Sequence, residues 1–215
     1  MLDRFTWYKQ SSYRWKGDDL VMYIDPWQIT GDPEPADVIF LTHAHYDHYS
    51  PDDLGRLRKE DTQIVAPHDI AAELTGNVQA VAPGDAVEAG GIKAQAVPAY
   101  NTVEERLKSH PKSSNWVGYI LELGGVSHYF SGDTDHLPEL ESVSARAAFV
   151  CVGGEIFTMG PQEAADLVKA IGPEVAVPNH YAFECGTRSD AEAFKEAAAP
   201  IKVEIMSPEH DFDLE

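Results

Sequence analysis

Asp37-Val38-Ile39-Phe40-Leu41-Thr42, followed at once by His43-Ala44-His45-Tyr46-Asp47-His48, is the stretch on which the reading of this chain turns. Its first half is a short apolar run of the kind that forms a buried strand. Its second half puts three histidines and an aspartate within six residues. Side chains alternate while a backbone stays extended, so His43 and His45 face one way. Asp47 and His48 must then turn toward a second point. One short loop can thus offer two ligands to each of two neighbouring metal ions. Neutral imidazole and carboxylate suit zinc, and also iron or manganese. A surface loop that merely happens to be rich in histidine does not account for an H-x-H-x-D-H spacing directly after an apolar strand.

Upstream, residues 5–13 and 20–25 are β-prone runs around Lys16-Gly17-Asp18-Asp19, which predicts a hairpin ended by Asp25-Pro26. Downstream, Ser50-Pro51-Asp52-Asp53 has the form of an N-cap with proline at the first helical position, predicting a short helix to about residue 59. Strands follow at 62–66, 79–81, 86–88 and 92–98, with a short helix over 70–74 stopped by Gly76. Residues 100–114 are polar and aperiodic, a long loop of the kind that is often functional. Gly124-Gly125 between residues 116–123 and 126–131 is the plainest hairpin signal in the chain. A strand at 147–152, a helix at 161–171 feeding a strand at 175–178, a helix at 189–199 capped by Ser189 and a strand at 202–205 complete the order. Strands dominate, with helices between some of them and no repeat or linker. An α+β fold in one domain over 1–215, arranged as a four-layer αββα sandwich, accommodates this better than a doubly wound parallel sheet.

Several motifs carry a family resemblance. Thr42-His43-Ala44-His45-Tyr46-Asp47-His48 resembles the signature of the metallo-β-lactamase-fold hydrolases. Later motifs of that family follow in order: Ser109-His110-Pro111-Lys112, Phe130-Ser131-Gly132-Asp133-Thr134-Asp135 and Val177-Pro178-Asn179-His180-Tyr181. The match runs from about residue 20 to 185. Within the superfamily the chain is most similar to the small stand-alone group of ascorbate-phosphate lactonases and uncharacterised metal-dependent hydrolases. Tyr100-Asn101, His110-Pro111-Lys112, Gly132-Asp133-Thr134-Asp135 and Val152-Gly153-Gly154 before Phe157-Thr158-Met159 carry that closer similarity. The resemblance implies two divalent metal ions, with zinc favoured and manganese or iron compatible. His43, His45 and His110 would hold one, Asp47, His48 and His180 the other, with Asp133 bridging. A carboxylate at a tight Ser-Gly-Asp turn after a strand suits that role, since one carboxylate can serve two cations about 3.5–4 Å apart. His180 likewise follows an apolar run. His110 sits in the long loop, and His68 and His136 stand as alternatives to it; His128 and His210 have no evident partners.

Charge narrows the field of partners. The formal net charge of -20 repels polyanions at long range, so long nucleic acid is not expected. The N-terminus MLDRFTWYKQ carries charges where a signal peptide has its apolar core, and no run approaches about 20 apolar residues. The expectation is a soluble cytoplasmic protein with no membrane partner, acting on a small molecule, with homo-oligomers compatible. Of the two cysteines, Cys151 lies in an apolar strand and Cys185 near His180, where it could line a site; a structural disulfide is not expected.

Such a metal pair lowers the pKa of a shared water and creates a hydroxide nucleophile, so a metal-dependent hydrolase is the expected activity. Asp47 is the candidate to orient that nucleophile and pass its proton to the leaving group. Lys112, Tyr100, Asn101, Asn115, Trp116, His136 and Tyr181 are the candidate substrate contacts; Glu155 is a further polar group of the region. Hydrolysis of a small ester or lactone leads. Phosphodiesterase or nuclease action on small phosphodiesters, and a non-hydrolytic metal-binding module, are the alternatives. β-Lactam hydrolysis has little support.

Overall fold

The aromatic N-terminal run folds back sooner than its sequence implies. The computed structural model describes residues 1–183 and 185–210; the expected domain over 1–215 also takes in residues 184 and 211–215, which lie outside the described ones. Residues 5–13, read above as one run, form two strands, β1 (Phe5–Lys9) and β2 (Ser12–Lys16). The reason is local. The β1–β2 register shifts between Trp7 and Lys9, and Gln10 takes a left-handed φ of 48°, which closes the turn.

β3 (Val21–Ile24), β4 (Val38–Phe40), β5 (Gln63–Pro67) and β6 (Val78–Val81) complete a six-stranded sheet in chain order, antiparallel from β1 to β3 and parallel from β3 to β6. The second sheet repeats that plan with β7 (Ala86–Ala89), β8 (Ile92–Pro98), β9 (Val117–Leu123), β10 (Val126–Phe130), β11 (Ala147–Cys151), β12 (Val175–Asn179) and β13 (Lys202–Val203). It is antiparallel from β7 to β10 and parallel from β10 to β13.

Helices cover the outer faces. α1 (Pro51–Leu57) starts at Ser50, whose hydroxyl accepts from Asp53 N, with proline at the first helical position. With α2 (His68–Glu73) it buries Leu54, Leu57 and Ile70 against Tyr23, Ile39 and Ile64 of the first sheet. α3 (Pro161–Ile171) ends at a left-handed Gly172. α4 (Arg188–Ala197) is capped by Thr187, not by the expected Ser189, because Thr187 and Asp190 satisfy each other's backbone N–H groups in a capping box. Leu167, Val168, Ala191 and Phe194 from these two helices join the main core. Between the sheets, Phe130 stacks on Phe149 at 4.5 Å and Phe40 meets Tyr119 edge-on at 5.2 Å. The architecture is a four-layer αββα sandwich.

Parallel strands deliver their loops to one end. β3 leads into Asp25, β4 into His43, β10 into Asp133 and β12 into His180. The sheets are tied together there: Tyr119 OH donates to Leu41 O at 2.8 Å and Val117 N donates to Thr42 O at 3.1 Å. Clefts at the carboxyl ends of parallel strands are the usual ligand sites of such sheets. Among the described residues no helix is long and apolar enough to cross a membrane.

Candidate metal centre

After His45 the chain turns sharply, with His48 N and Tyr49 N both donating to His45 O. That turn swings Asp47 and His48 away from the direction of His43 and His45. Asp133 comes close because Gly132 has no side chain: a Cβ there would lie 2.9 Å from Val117 O and 3.3 Å from Thr42 Cβ. Gly132 also takes φ 59°, which favours glycine. His180 adopts φ 57°, uncommon for a residue with a Cβ, and leaves β12 pointing into the same space. Asn101 N donates to His110 O at 2.8 Å and so fixes the long loop.

Seven side chains converge in two groups. His43, His45, His110 and Asp133 bring one ligand atom each within 4.8 Å of one another, and so do Asp47, His48 and His180. Asp133 links the groups: its Oδ2 lies 3.2 Å from His110 Nε2 and 3.1 Å from His180 Nε2, and its Oδ1 3.5 Å from His48 Nε2. Asp47 Oδ2 is 3.2 Å from His180 Nε2. Of the alternatives to His110, His68 is exposed at the start of α2 and His136 pairs with Glu141, so neither joins the groups.

The far side of four rings is already engaged. His48 Nδ1 donates to Asp25 Oδ2 at 2.8 Å. Thr42 Oγ1 donates to the same carboxylate at 2.7 Å, which leaves it to accept from His43 Nδ1 at 3.0 Å. His110 Nδ1 donates to Asn101 Oδ1, and Asn101 is held in that orientation because its Nδ2 donates to Asp135 Oδ1. His180 Nδ1 lies 3.2 Å from Cys185 Sγ. Each contact suits a proton on Nδ1 and turns Nε2 toward the cluster, where a cation that displaces any proton on it finds the lone pair that imidazole ligands require. His45 faces the cluster through Nδ1 instead, 3.1 Å from His43 Nε2. Nε2 of His48, His110 and His180 and Oδ1 of Asp133 are buried without a hydrogen-bond partner. Buried polar atoms are rarely left so, and cations held by the two groups would satisfy all four. The donor set fits a divalent metal.

Electrostatics agree. Burial, reinforced by His48, holds His43 well below the ordinary histidine range, and burial with His110 brings His45 to about 4. Burial also opposes charge on His48, yet Asp133, Asp47 and Asp25 outweigh it and push its pKa up to about 10. His180 is likewise raised against burial, chiefly by Asp133. Burial works against charge on Asp47 as well, but His48 and His180 hold its pKa at about 2. Two carboxylates thus draw positive charge into the cluster, and a cation that binds there competes with protons.

The groups open into a cavity of about 220 Å³ lined by Gln10, His45, Tyr46, Asp47, Ser109, His110, Asp133, Phe157, His180 and Cys185. None of the expected substrate contacts is among the residues that line this cavity. Lys112 is drawn away by the Tyr100 hydroxyl at 2.9 Å and by Glu139, which the same hydroxyl also contacts. Asn101 serves His110. Asn115 is exposed at the end of a 3-10 turn, in a left-handed conformation. Trp116 packs behind His43 and His45, each at 5.0 Å, and donates to Asp69. His136 is held by Glu141, and Tyr181 is fully buried beside Trp7. The residues missed are Asp25, whose only signal was a carboxylate ending an apolar strand, Gln10, which carried none, and Ser109 and Phe157, whose signal was their place in the Ser109-His110-Pro111-Lys112 and Phe157-Thr158-Met159 motifs. Cys185 does line the cavity, and both cysteines are free thiols.

Residues 4–180 match the family model described as the beta-lactamase superfamily domain. A metal-dependent hydrolase of Thermococcus onnurineus is 32% identical, over 89% of this chain and 91% of its own length. One from Methanopyrus kandleri is 28% identical, over 98% and 99% of the two chains. The crystal structure of a proposed metal-dependent hydrolase from Parabacteroides distasonis superposes with a TM-score of 0.83 at 30% identity, covering 95% of this chain and 93% of that one.

Proposed function

The chain belongs to the beta-lactamase superfamily as a metal-dependent hydrolase of the metallo-β-lactamase fold, and from that premise we propose that it holds two divalent metal ions and cleaves a small ester or lactone. One observation carries the reading: two ligand groups face each other across Asp133, with buried, unpartnered nitrogen and oxygen atoms aimed between them. His43, His45 and His110 would hold one ion and Asp47, His48 and His180 the other, with Asp133 shared. Zinc suits the donors best; manganese and iron are compatible.

Divalent ions held there supply Lewis acidity toward a carbonyl oxygen and toward water. The protein's part is positional. Asp25, Thr42, Asn101 and Cys185 keep their partner imidazoles in the tautomer that presents Nε2. Asp47 lines the cavity and is ionised at neutral pH, so its carboxylate can accept a proton from attacking water and deliver it to the leaving oxygen. Among the described residues no lysine or arginine lines the cavity, which favours an ester or lactone over a phosphodiester.

Metal analysis after reconstitution, together with a panel of aryl esters, lactones, bis-p-nitrophenyl phosphate and a β-lactam, tests this with zinc and with manganese. Two equivalents of metal and ester or lactone turnover are expected. Phosphodiester turnover with inert lactones overturns the bond class, and a metal content well below one equivalent overturns the metal pair.

A further inference from the structure

The surface around the cavity mouth differs from the rest of this acidic molecule. Among the described residues, the exposed large hydrophobic side chains are Met1, Tyr46, Val103, Leu107, Ile156 and Phe157. All but the terminal Met1 lie on three of the loops that contribute to the cavity wall. Tyr46 sits between the ligands His45 and Asp47, Val103 and Leu107 lie between Asn101 and His110, and Ile156 and Phe157 follow β11. Tyr46 and Phe157 line the cavity itself, although they are 55% and 41% exposed. Clustered exposed apolar side chains mark a binding surface more often than they arise by chance.

The fold holds these side chains outward. Tyr46 rests edge-on against the buried Trp27 at 5.8 Å. The loop bearing Phe157 has a firm base: Gly153 N donates to Thr158 Oγ1, and Glu155, at φ 69°, lays its carboxylate where a Cβ on Gly160 would stand. Buried Arg106, from the loop of Val103 and Leu107, donates to Thr158 O and ties the two loops together. Beneath the rim, every charged side chain lining the cavity belongs to the candidate ligand groups. Arg106 is held by Asp135 and Glu163, and Lys112 by Tyr100 and Glu139. Lys108, on the same loop, is exposed and does not line the cavity.

We propose that the cavity selects a substrate whose non-reacting portion is uncharged and apolar, a small aryl or alkyl group lodged between Tyr46 and Phe157. This preference rests on the hydrolytic reading above and adds a substrate class to it. An anionic tail, such as a distal phosphate, would meet no lysine or arginine among the described residues that line the cavity, and the overall charge of -20 repels it at long range. A cavity of about 220 Å³ lies below the ~300–1,000 Å³ of sites for drug-sized ligands, so the group is small.

The test uses the metal-loaded full chain. Phenylacetamide and succinamate, an uncharged and an anionic amide, are titrated by calorimetry, while methyl phenylacetate and monomethyl succinate are compared as substrates in a pH-stat. Phenylacetamide should bind about tenfold tighter than succinamate, and Phe157→Ser and Tyr46→Ser should each weaken it by roughly three- to tenfold with unchanged metal content. Tighter succinamate binding, or rim variants that bind phenylacetamide as well as the native chain does, overturns the preference. So does a loss of self-association in the variants without a loss of affinity, which would make the rim an interface between copies. If neither ester turns over, the ester reading fails while the two amides still decide the preference.

Discussion

Asp25→Asn should cost the protein one metal ion and leave its fold intact. Asp25 is 1% exposed and accepts three hydrogen bonds, from Thr42 N at 2.8 Å, Thr42 Oγ1 at 2.7 Å and His48 Nδ1 at 2.8 Å. Asparagine keeps the shape and can still accept from Thr42 N. Its amide nitrogen then faces His48 Nδ1, and two donors cannot meet, so His48 shifts its proton to Nε2 and loses the lone pair aimed at Asp47 and Asp133. Removing such an orienting partner lowers metal affinity about 10–100-fold, or about 1.4–2.7 kcal/mol. The loss should be unequal. His48 is bound to Asp25 directly, whereas His43 reaches it only through Thr42, so the His43, His45 and His110 group keeps more of its affinity. Competition titration against a chromophoric zinc chelator reads both steps, with circular dichroism as the check on folding. A folded variant that binds two ions with native affinities would refute the tautomer reasoning.

Three further outcomes follow from residues outside the ligand set. His128 is buried, and burial outweighs the Val126 carbonyl that accepts from its Nδ1, so its pKa falls to about 4. With an unfolded value near 6.5, its contribution to stability is complete above that pH and is lost as pH falls toward 4, about 3 kcal/mol in all. Urea unfolding in chelator at pH 7 and pH 4.5 should show His128→Phe losing about 2–3 kcal/mol less than the native chain between the two; equal losses would count against a neutral His128. Arg106→Met takes the guanidinium from Asp135, 2.7 Å away, and from Glu163, and should cost about 3 kcal/mol, or roughly 6–12 °C in Tm; a calorimetric Tm within 2 °C of native would contradict it. Lys112→Met should leave kcat/KM on any accepted ester within about twofold, since its Nζ is held by the Tyr100 hydroxyl; a loss above about tenfold would return Lys112 to the cavity.

What could be read from the sequence and what could not differ in kind. The His43–His48 loop was legible because its spacing must serve backbone alternation and metal geometry together, and few other purposes produce it. Ser50, Pro51 and Gly172 marked their helix ends because capping is local chemistry. Even local signals can compete: Ser189 has Glu192 three residues on just as Thr187 has Asp190, and the structure closes the capping box on Thr187 and Asp190, so α4 starts at Arg188. The cavity wall was only partly legible, since it is assembled from residues remote in sequence as well as from neighbours of the ligands. Lys112 lies two positions past His110, yet a 3-10 turn carries it outward to Tyr100, while Gln10 reaches the cavity from a hairpin turn some 170 residues before His180. Asp25 shows the intermediate case. A buried carboxylate after Tyr23-Ile24 is too costly to leave unpaired, so its presence demanded a partner, but only the β3–β4 pairing reveals that the partners are Thr42 and His48. Nearness in sequence to a ligand therefore does not by itself decide nearness to the cavity, since Tyr46 and Ser109 reach it while Lys112 does not; an uncompensated polar group in an apolar run is an independent sign of a residue that serves the site.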